Sequence, residues 1–246
     1  MVRTKLLTGA AASAVAWSAS AAVCYTRARS MFGVHSHLGS AAQHRGFVGL
    51  TFDDGPQQGV TDRYLDLLRD RQITATFFVV GEQAVRAPKL LERMVAEGHD
   101  VQSHGFHHRN HLLRAPWSPI TDLPRATATI ESITGLRPTL YRPPQGVITP
   151  ATLRAARSEQ QDVVLWSTWA RDWERRATPA SIARRAGTVP AGGILLLHDA
   201  DHYSYRSWHA TWDALPAMLD DLARRGLHPC SLRDAALVDA RPAAFH

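Results

Sequence analysis

The sequence predicts an α/β protein in which helices cover a parallel sheet. Short apolar runs rich in β-branched and aromatic residues alternate about seven times with stretches of helical periodicity. Acidic, histidine and arginine residues directly follow several of these runs. With 246 residues, 45% of them hydrophobic, the chain is long enough for one large core. A closed barrel and an open doubly wound sheet both fit, because both place ligands at the C-terminal ends of their strands.

The clearest of the predicted strands are apolar runs that end at a glycine or a polar residue. The runs 46–52 and 74–80 are nearly continuous in apolar and β-branched residues, which is typical of strands buried on both faces. The predicted strands lie at residues 46–52, 74–80, 99–103, 138–141, 162–167, 193–197 and 226–232.

Helices are predicted where apolar residues recur at helical spacing. In the segment 60–71, Tyr64, Leu65, Leu67 and Leu68 form one apolar stripe. Gly98 and Gly135, which follow two of the other segments, are typical of helix C-caps. The predicted helices lie at residues 60–71, 82–97, 122–134, 149–158, 179–186 and 208–225.

The first 24 residues differ from the rest of the chain. A short basic start precedes residues 6–24, which carry no charge and are rich in alanine and serine. A cleaved signal peptide and an uncleaved membrane anchor both fit this segment. We favour the signal peptide, because the segment is only mildly apolar and the residues Ala19-Ser20-Ala21 fit a cleavage site. We therefore expect an exported protein, either secreted or associated with the cell envelope.

The remaining chain is predicted to hold a single domain at 46–232. Residues 25–45 are interpreted as a linker and residues 233–246 as a C-terminal tail. Cys24 and Cys230 are the only cysteines in the sequence, and whether they pair is left open. Because there is no CxxC pattern, a thiolate metal site is not expected.

The charge of the chain is basic but dispersed. The formal net charge is +6, and arginines that occur singly and in pairs supply most of it. Without a dense basic stripe the sequence does not indicate a nucleic-acid partner. A basic surface instead favours an anionic cell-wall polymer as the partner, and we expect the protein to act as a monomer.

Two adjacent carboxylates, Asp53 and Asp54, end the first predicted strand, and Gly55-Pro56 turns the chain after them. Adjacent carboxylates repel each other unless a cation or an arginine offsets their charge. A polar turn with no further role is the alternative interpretation of this stretch.

A histidine pair follows the third predicted strand. His104 and His108 are four residues apart, a spacing that places both on one face of a helical turn. His107 and His111 have the same spacing, so spacing alone does not choose between the pairs. Two imidazoles and a carboxylate form a ligand set that suits a divalent metal ion.

Three further short motifs occur at or after the ends of later predicted strands. They are Arg142-Pro143, Asp172-Trp173 and Leu196-Leu197-His198. Each also has a simpler interpretation: a surface salt bridge for the arginine, a buried core histidine for His198, and core packing for the tryptophan and leucine.

In this order, the acidic pair, the histidine pair, Arg-Pro, Asp-Trp and Leu-Leu-His resemble the five motifs of the polysaccharide deacetylases of carbohydrate esterase type 4, the NodB homology domain. The resemblance spans residues 46–232 and implies a distorted (β/α)7 barrel, a single domain similar to a TIM barrel. It also implies hydrolysis of N-acetyl groups on an amino-sugar polysaccharide, such as peptidoglycan or a chitin-like glycan.

The resemblance also implies roles for individual residues. Asp54, His104 and His108 correspond to the ligands of one divalent ion, for which we expect Zn²⁺. Asp53 corresponds to the catalytic base that acts on the metal-activated water. The remaining correspondences are Arg142 as the partner of Asp53, His198 as the general acid, Asp172 as the residue that orients it, and Gln145, Trp173 and Leu196 as substrate contacts.

The chain departs from the usual motifs at three positions. Gly105 and Arg109 follow the two ligand histidines where the family usually has serine or threonine and proline, and Gln145 stands where it commonly has tyrosine. The backbone N–H of residue 145 would still stabilise an oxyanion. An O-acetyl esterase acting on a xylan-like glycan and a non-catalytic carbohydrate-binding barrel are the alternative functions.

Overall fold

The computed structural model describes residues 33–115, 117–203 and 207–235. Within these ranges a nine-stranded sheet curls into a distorted (β/α)7 barrel with helices on its outside, which confirms the predicted fold. The described part of the chain contains no helix that is both long and apolar enough to span a bilayer. The segment 1–24, with its predicted signal peptide and Cys24, lies outside the described residues.

All the strand pairs of the sheet are parallel. The spatial order is β1-β6-β5-β4-β3-β2-β8-β7, and β9 pairs with β2. Because the strands are parallel, their C-terminal ends meet at one rim of the barrel. The strands are β1 Val34–His35, β2 Phe47–Asp53, β3 Thr76–Val79, β4 Asp100–Ser103, β5 Leu140–Tyr141, β6 Asp162–Val164, β7 Thr168–Trp169, β8 Ile194–His198 and β9 His228–Cys230.

Helices connect the successive strands. Capping boxes at Thr149 and Thr178 begin two of them, and the left-handed Gly135 follows the end of another. The helices are α1 Ser40–His44, α2 Thr61–Asp70, α3 Gly81–Arg86, α4 Pro88–Ala96, α5 Ser118–Thr134, α6 Pro150–Ser158, α7 Pro179–Ala186 and α8 Ser207–Arg224.

The side chains of β2 alternate between two environments. Leu50 and Phe52 join the main core between the sheet and the helices, where the ring of Phe52 lies 5.3 Å from that of Tyr64. Gly49 and Thr51 face the barrel interior instead. A Cβ at Gly49 would lie 2.5 Å from the Leu232 side chain, so the crowded interior requires glycine there.

The linker prediction for residues 25–45 is wrong for the part that the structure describes. β1 pairs with β6, and the backbone N–H of Leu38 donates a 2.8 Å hydrogen bond to the Gly192 carbonyl just before β8. Residues 34–38 therefore bridge the two sides of the barrel. Val34, Ser36 and Leu38 are all buried and His37 between them is exposed, an alternation typical of extended backbone in a sheet.

Two predicted elements are each divided in the structure. The predicted helix 82–97 is two helices, α3 and α4, because Pro88 disfavours helical geometry at Ala87, which has φ −135° and ψ 56°. The predicted strand 162–167 ends early: β6 pairs with β1 and β5, whereas β7 pairs with β8. The turn between β6 and β7 aims Trp166 into a cavity at the rim.

Candidate active site

A cavity of about 320 Å³ opens at the rim where the C-terminal strand ends meet. All the predicted site residues line it except Arg142 and Asp172, which are fully buried. The lining consists of Asp53, Asp54, His104, His108, Gln145, Gly146, Trp166, Trp169, Trp173, Leu196, His198 and Tyr203.

Asp53 is the last residue of β2 and is paired with Arg142. The arginine Nη1 donates hydrogen bonds of 2.6 Å to Asp53 Oδ1 and 2.8 Å to Thr51 Oγ1. Its Nη2 donates to the Leu165 carbonyl at 3.1 Å, and its guanidinium lies 4.0 Å from the ring centre of Phe78. Arg142 is therefore a buried ion-pair partner rather than a surface one, and its contacts fix the orientation of Asp53.

Asp54 turns away from the strand because its φ is 77°. Its Oδ1 lies 3.0 Å from His108 Nε2 and 3.5 Å from His104 Nε2. One ligand atom from each of these residues lies within 4.8 Å of the other two. The predicted carboxylate and the predicted histidine pair therefore converge in space.

The chemistry of this cluster fits a divalent metal ion. His104 Nδ1 donates a 2.7 Å hydrogen bond to the Arg142 carbonyl, which leaves the Nε2 lone pair directed to Asp54. Asp54 Oδ1 is buried and accepts no hydrogen bond from the described residues. A buried, unsatisfied carboxylate oxygen beside an imidazole lone pair is stabilised by a cation.

Two opposing effects set the pKa of Asp54. Burial alone would raise it, but the imidazoles of His104 and His108, together with the charge of His198, outweigh burial. The pKa of Asp54 is therefore well below its usual value. The carboxylate stays ionised at neutral pH, as a metal ligand must.

The histidine pair lies on an irregular loop rather than on the helical turn that the spacing indicated. Gly105 has φ 80° and His108 has φ 49°, and neither value is compatible with a right-handed helix. The loop still directs both imidazoles to Asp54. The ring of His108 also stacks on that of Tyr203, with the ring centroids 4.1 Å apart.

The alternative pair with the same spacing has other contacts. His107 Nδ1 lies 3.3 Å from Glu82 Oε2. His111 is buried, with its Nδ1 2.9 Å from Thr152 Oγ1. Neither belongs to the candidate metal cluster found among the described residues.

His198 ends β8 directly beside Asp53, with which it is paired in the sheet register. Its Nδ1 donates a 2.8 Å hydrogen bond to Asp172 Oδ1, and its backbone N–H donates to Oδ2 at 2.8 Å. Thr211 Oγ1 donates a third hydrogen bond to Asp172, at 3.0 Å. Burial would lower the pKa of His198, but the carboxylates of Asp172, Asp54 and Asp53 raise it to about 10.

Aromatic residues dominate one side of the cavity. Trp173 and Leu196 were predicted there, and Gln145 lies at the edge with a left-handed φ of 57°. The assigned site residues did not include Trp166, Trp169 and Tyr203. The density of tryptophan was an available signal, since three of the seven in the chain fall within 166–173.

The chain matches the polysaccharide deacetylase family over residues 40–164. It is 32% identical over 210 residues to a chitooligosaccharide deacetylase of a Bradyrhizobium species (strain ANU 289), covering 81% of this chain and 95% of that protein. It is 31% identical over 152 residues to the peptidoglycan-N-acetylglucosamine deacetylase PgdA of Listeria monocytogenes. That match covers 62% of this chain and 32% of PgdA, so the chain spans about a third of the length of this relative.

A solved structure shares the fold. The crystal structure of the Bc1960 peptidoglycan N-acetylglucosamine deacetylase superposes with a TM-score of 0.77 at 24% identity. The superposition covers 85% of this chain and 94% of the other. At this identity the similarity concerns the architecture.

Proposed function

Because the chain belongs to the polysaccharide deacetylase family, we propose that it removes N-acetyl groups from an amino-sugar polysaccharide of the cell envelope. One observation carries the proposal. The cluster of Asp54, His104 and His108 shares a single cavity with Asp53 and His198. The proposed metal ligands, base and acid therefore surround one point, as amide hydrolysis requires.

The ligand cluster is proposed to hold one divalent ion, with Zn²⁺ as the expected species. When bound, such an ion would polarise the acetyl carbonyl and lower the pKa of a water molecule. Asp53 then accepts the proton of the attacking water. Its ion pair with Arg142, at 2.6 Å, orients the carboxylate for this step.

His198 is proposed to donate a proton to the leaving nitrogen. An amine leaves readily only when it is protonated, so this step needs an acid within reach of the leaving nitrogen. A pKa raised to about 10 keeps His198 protonated at neutral pH. Asp172 fixes the tautomer and the orientation of the ring through the 2.8 Å bond to Nδ1.

The aromatic side of the cavity is proposed to hold the acetyl group. Trp173 and Leu196 both line it, and the Trp173 ring lies 5.9 Å from that of His198. An apolar wall there buries the methyl group and directs the carbonyl carbon towards the acid and the base. The backbone N–H of Gln145 is the proposed additional donor to the oxyanion.

Acetate release from a panel of substrates tests this proposal. The panel contains peptidoglycan, chitin oligosaccharides and O-acetylated xylan, and we expect release from the first two. His104→Ala should lose the metal and the activity, because it removes a ligand. His107→Ala has a similar position in the loop but no place in the cluster, so it should keep both.

Metal content measured on the same samples completes the test. The wild-type protein should bind about one divalent ion per chain. Full metal content in His104→Ala would contradict the ligand assignment. Release from xylan alone would replace the amidase proposal with the esterase alternative.

A further inference from the structure

Three tryptophans from one short stretch form a continuous aromatic surface, the tryptophan wall, defined as Trp166, Trp169 and Trp173. The rings of Trp169 and Trp173 are stacked, with centroids 4.1 Å apart and an interplanar angle of 17°. The ring of Trp166 lies 5.7 Å from that of Trp169. All three residues line the cavity that contains His198.

Trp169 is the outermost member of the tryptophan wall. It is 42% exposed although it lies in β7, whose other residue, Thr168, is buried. A large exposed indole contributes little to the core, and exposed apolar surface beside a cavity marks a binding site. The charges of the proposed reaction are carried by other residues, so the chemistry does not explain a tryptophan at this position.

The surroundings of Trp169 combine an apolar face with a polar border. Trp173 holds the indole in place from one side by stacking. The Arg171 guanidinium lies 5.8 Å from the ring centre of Trp169 and forms an ion pair with Glu174. At that distance the guanidinium lies over the ring as a cation–π partner, and Trp169, at 42% exposed, still presents part of its indole to a ligand.

A pyranose ring matches these surroundings. Its C–H groups form an apolar face that can pack flat on an indole, and its hydroxyl groups project from the edge, where they can bond to charged side chains. The cavity itself, at about 320 Å³, is at the small end of ligand pockets. A second sugar of the same chain must therefore lie outside it, at the mouth where Trp169 is exposed.

We propose that Trp169 is a binding subsite for the sugar unit next to the one that loses its acetyl group. This inference rests on the proposed function and extends it. The enzyme would bind a chain of at least two pyranose units and would distinguish it from a single acetylated sugar. Trp169 would act on specificity through binding, without taking part in the proton transfers.

The test compares substrates of different length with Trp169→Ala. Acetate release is measured on a tetramer of β-linked N-acetylglucosamine, on the monosaccharide and on a small aryl acetate ester. Loss of the stacked indole should lower kcat/KM on the tetramer about tenfold more than on the other two, mainly through KM. Trp169→Tyr should recover part of that difference, because it restores an aromatic face.

Trp117→Ala is the matched control. Trp117 is also an exposed tryptophan, at 67%, but it precedes α5 and does not line the cavity. Its replacement should leave the preference for the tetramer unchanged. If Trp169→Ala lowered the rates on all three substrates equally, the residue would only support its neighbours and the subsite would be refuted.

A binding measurement separates this inference from the proposed function. The affinity for the same tetramer is followed by intrinsic tryptophan fluorescence in the wild type and in Trp169→Tyr and Trp169→Ala. If the wild type released no acetate from any substrate, the proposed function would fail, while a graded loss of affinity would still support the subsite. Equal affinity in the three proteins would overturn the subsite whatever the activity.

Discussion

Asp53 and Asp54 are adjacent in sequence, yet the backbone directs their carboxylates to different partners. Asp53 continues the extended strand and binds Arg142 at 2.6 Å. Asp54 adopts φ 77° and approaches the imidazoles of His104 and His108. Two groups of the same type thus have different environments, which is the basis for proposing that one holds a cation while the other transfers a proton.

Replacing each aspartate by asparagine should separate these roles. Asp53→Asn should keep the metal and reduce kcat by about 10²–10⁴-fold, because an amide does not accept the proton. Asp54→Asn should weaken metal binding itself, since a neutral amide is a poorer ligand for a divalent cation. Metal content by mass spectrometry and steady-state kinetics measure the two effects. Loss of metal in Asp53→Asn with retention in Asp54→Asn would reverse the assignment.

Replacing His198 should affect amide and ester substrates differently. His198→Ala should keep the metal, and its rate on an N-acetyl substrate should fall by about 10²–10⁴-fold. The loss on a matched O-acetyl ester should be smaller, because an alcohol needs less help from an acid when it leaves. Kinetics on the matched pair of substrates measure the difference. Full activity of His198→Ala on the amide would require another general acid.

At the residue level the sequence predicted much of the site. The assigned site residues line the cavity except for the buried Arg142 and Asp172, because the parallel strands that carry or precede them end at one rim. Trp169 and Tyr203 were not assigned, because their place depends on how loops fold back over the rim. For example, Tyr203 reaches His108 by a stacking contact across 95 residues of sequence, which no local pattern encodes.

Among the elements, helix α5 has a direct effect on the loop that carries the histidine pair. The carboxylate of Asp122 accepts hydrogen bonds from the backbone N–H groups of Phe106, at 2.7 Å, and His107, at 3.3 Å. The loop passes close to this carboxylate. A Cβ at Gly105 would lie 2.8 Å from Asp122 Oδ2, so glycine there allows the approach.

We expect Asp122 to position the metal ligands through the backbone. Asp122→Ala should weaken metal affinity by about 10–100-fold, the size of effect known for groups that orient metal ligands. Asp122→Asn should lose less metal affinity, because its side chain keeps one carbonyl oxygen that can accept a hydrogen bond. Thr121→Ala, on the exposed side of the same helix, is the control. Competition with a chromophoric chelator gives the affinities, and an unchanged value in Asp122→Ala would refute the role.

The boundaries of elements were harder to predict than their type. The break between α3 and α4 follows from Pro88, a signal that was present but outweighed by the apolar periodicity of 82–97. The break between β6 and β7 has no comparable local signal. It arises because the two halves of that stretch pair with different neighbours, and this depends on the closure of the whole barrel.

For the whole molecule, the alternation of strands and helices predicted a parallel sheet but not how the sheet closes. Closure depends on residues 34–38, which pair with β6 and contact the backbone just before β8. Two ladder positions are too few to stand out as a strand in sequence. The barrel was predicted from the family resemblance, and the structure identifies residues 34–38 as the segment that closes it.

The end of the barrel opposite the site contains a buried histidine. His99 lies at the opposite end, just before β4, and is 2% exposed. Its Nδ1 accepts a 3.2 Å hydrogen bond from the Ala75 backbone N–H, while its Nε2 has no hydrogen-bond partner in the described part of the chain. Burial, helped by the charges of Arg93 and Arg233, lowers the pKa of His99 to about 4.

The folded protein should therefore lose stability in mild acid through His99. Because its folded pKa, about 4, lies below the ordinary value of 6.5, the unfolded chain binds more protons between these values. The stabilising contribution is fully present above pH 6.5 and is lost as the pH falls towards 4, by roughly 3 kcal/mol at most. His99→Asn removes the titration while offering an oxygen to the Ala75 N–H, so its free energy of unfolding should fall less steeply over this range.

Urea unfolding of metal-free protein at several pH values measures how steeply the free energy of unfolding falls, with the exposed His44→Asn as control. Identical slopes in the wild type and His99→Asn would show that His99 does not limit acid stability.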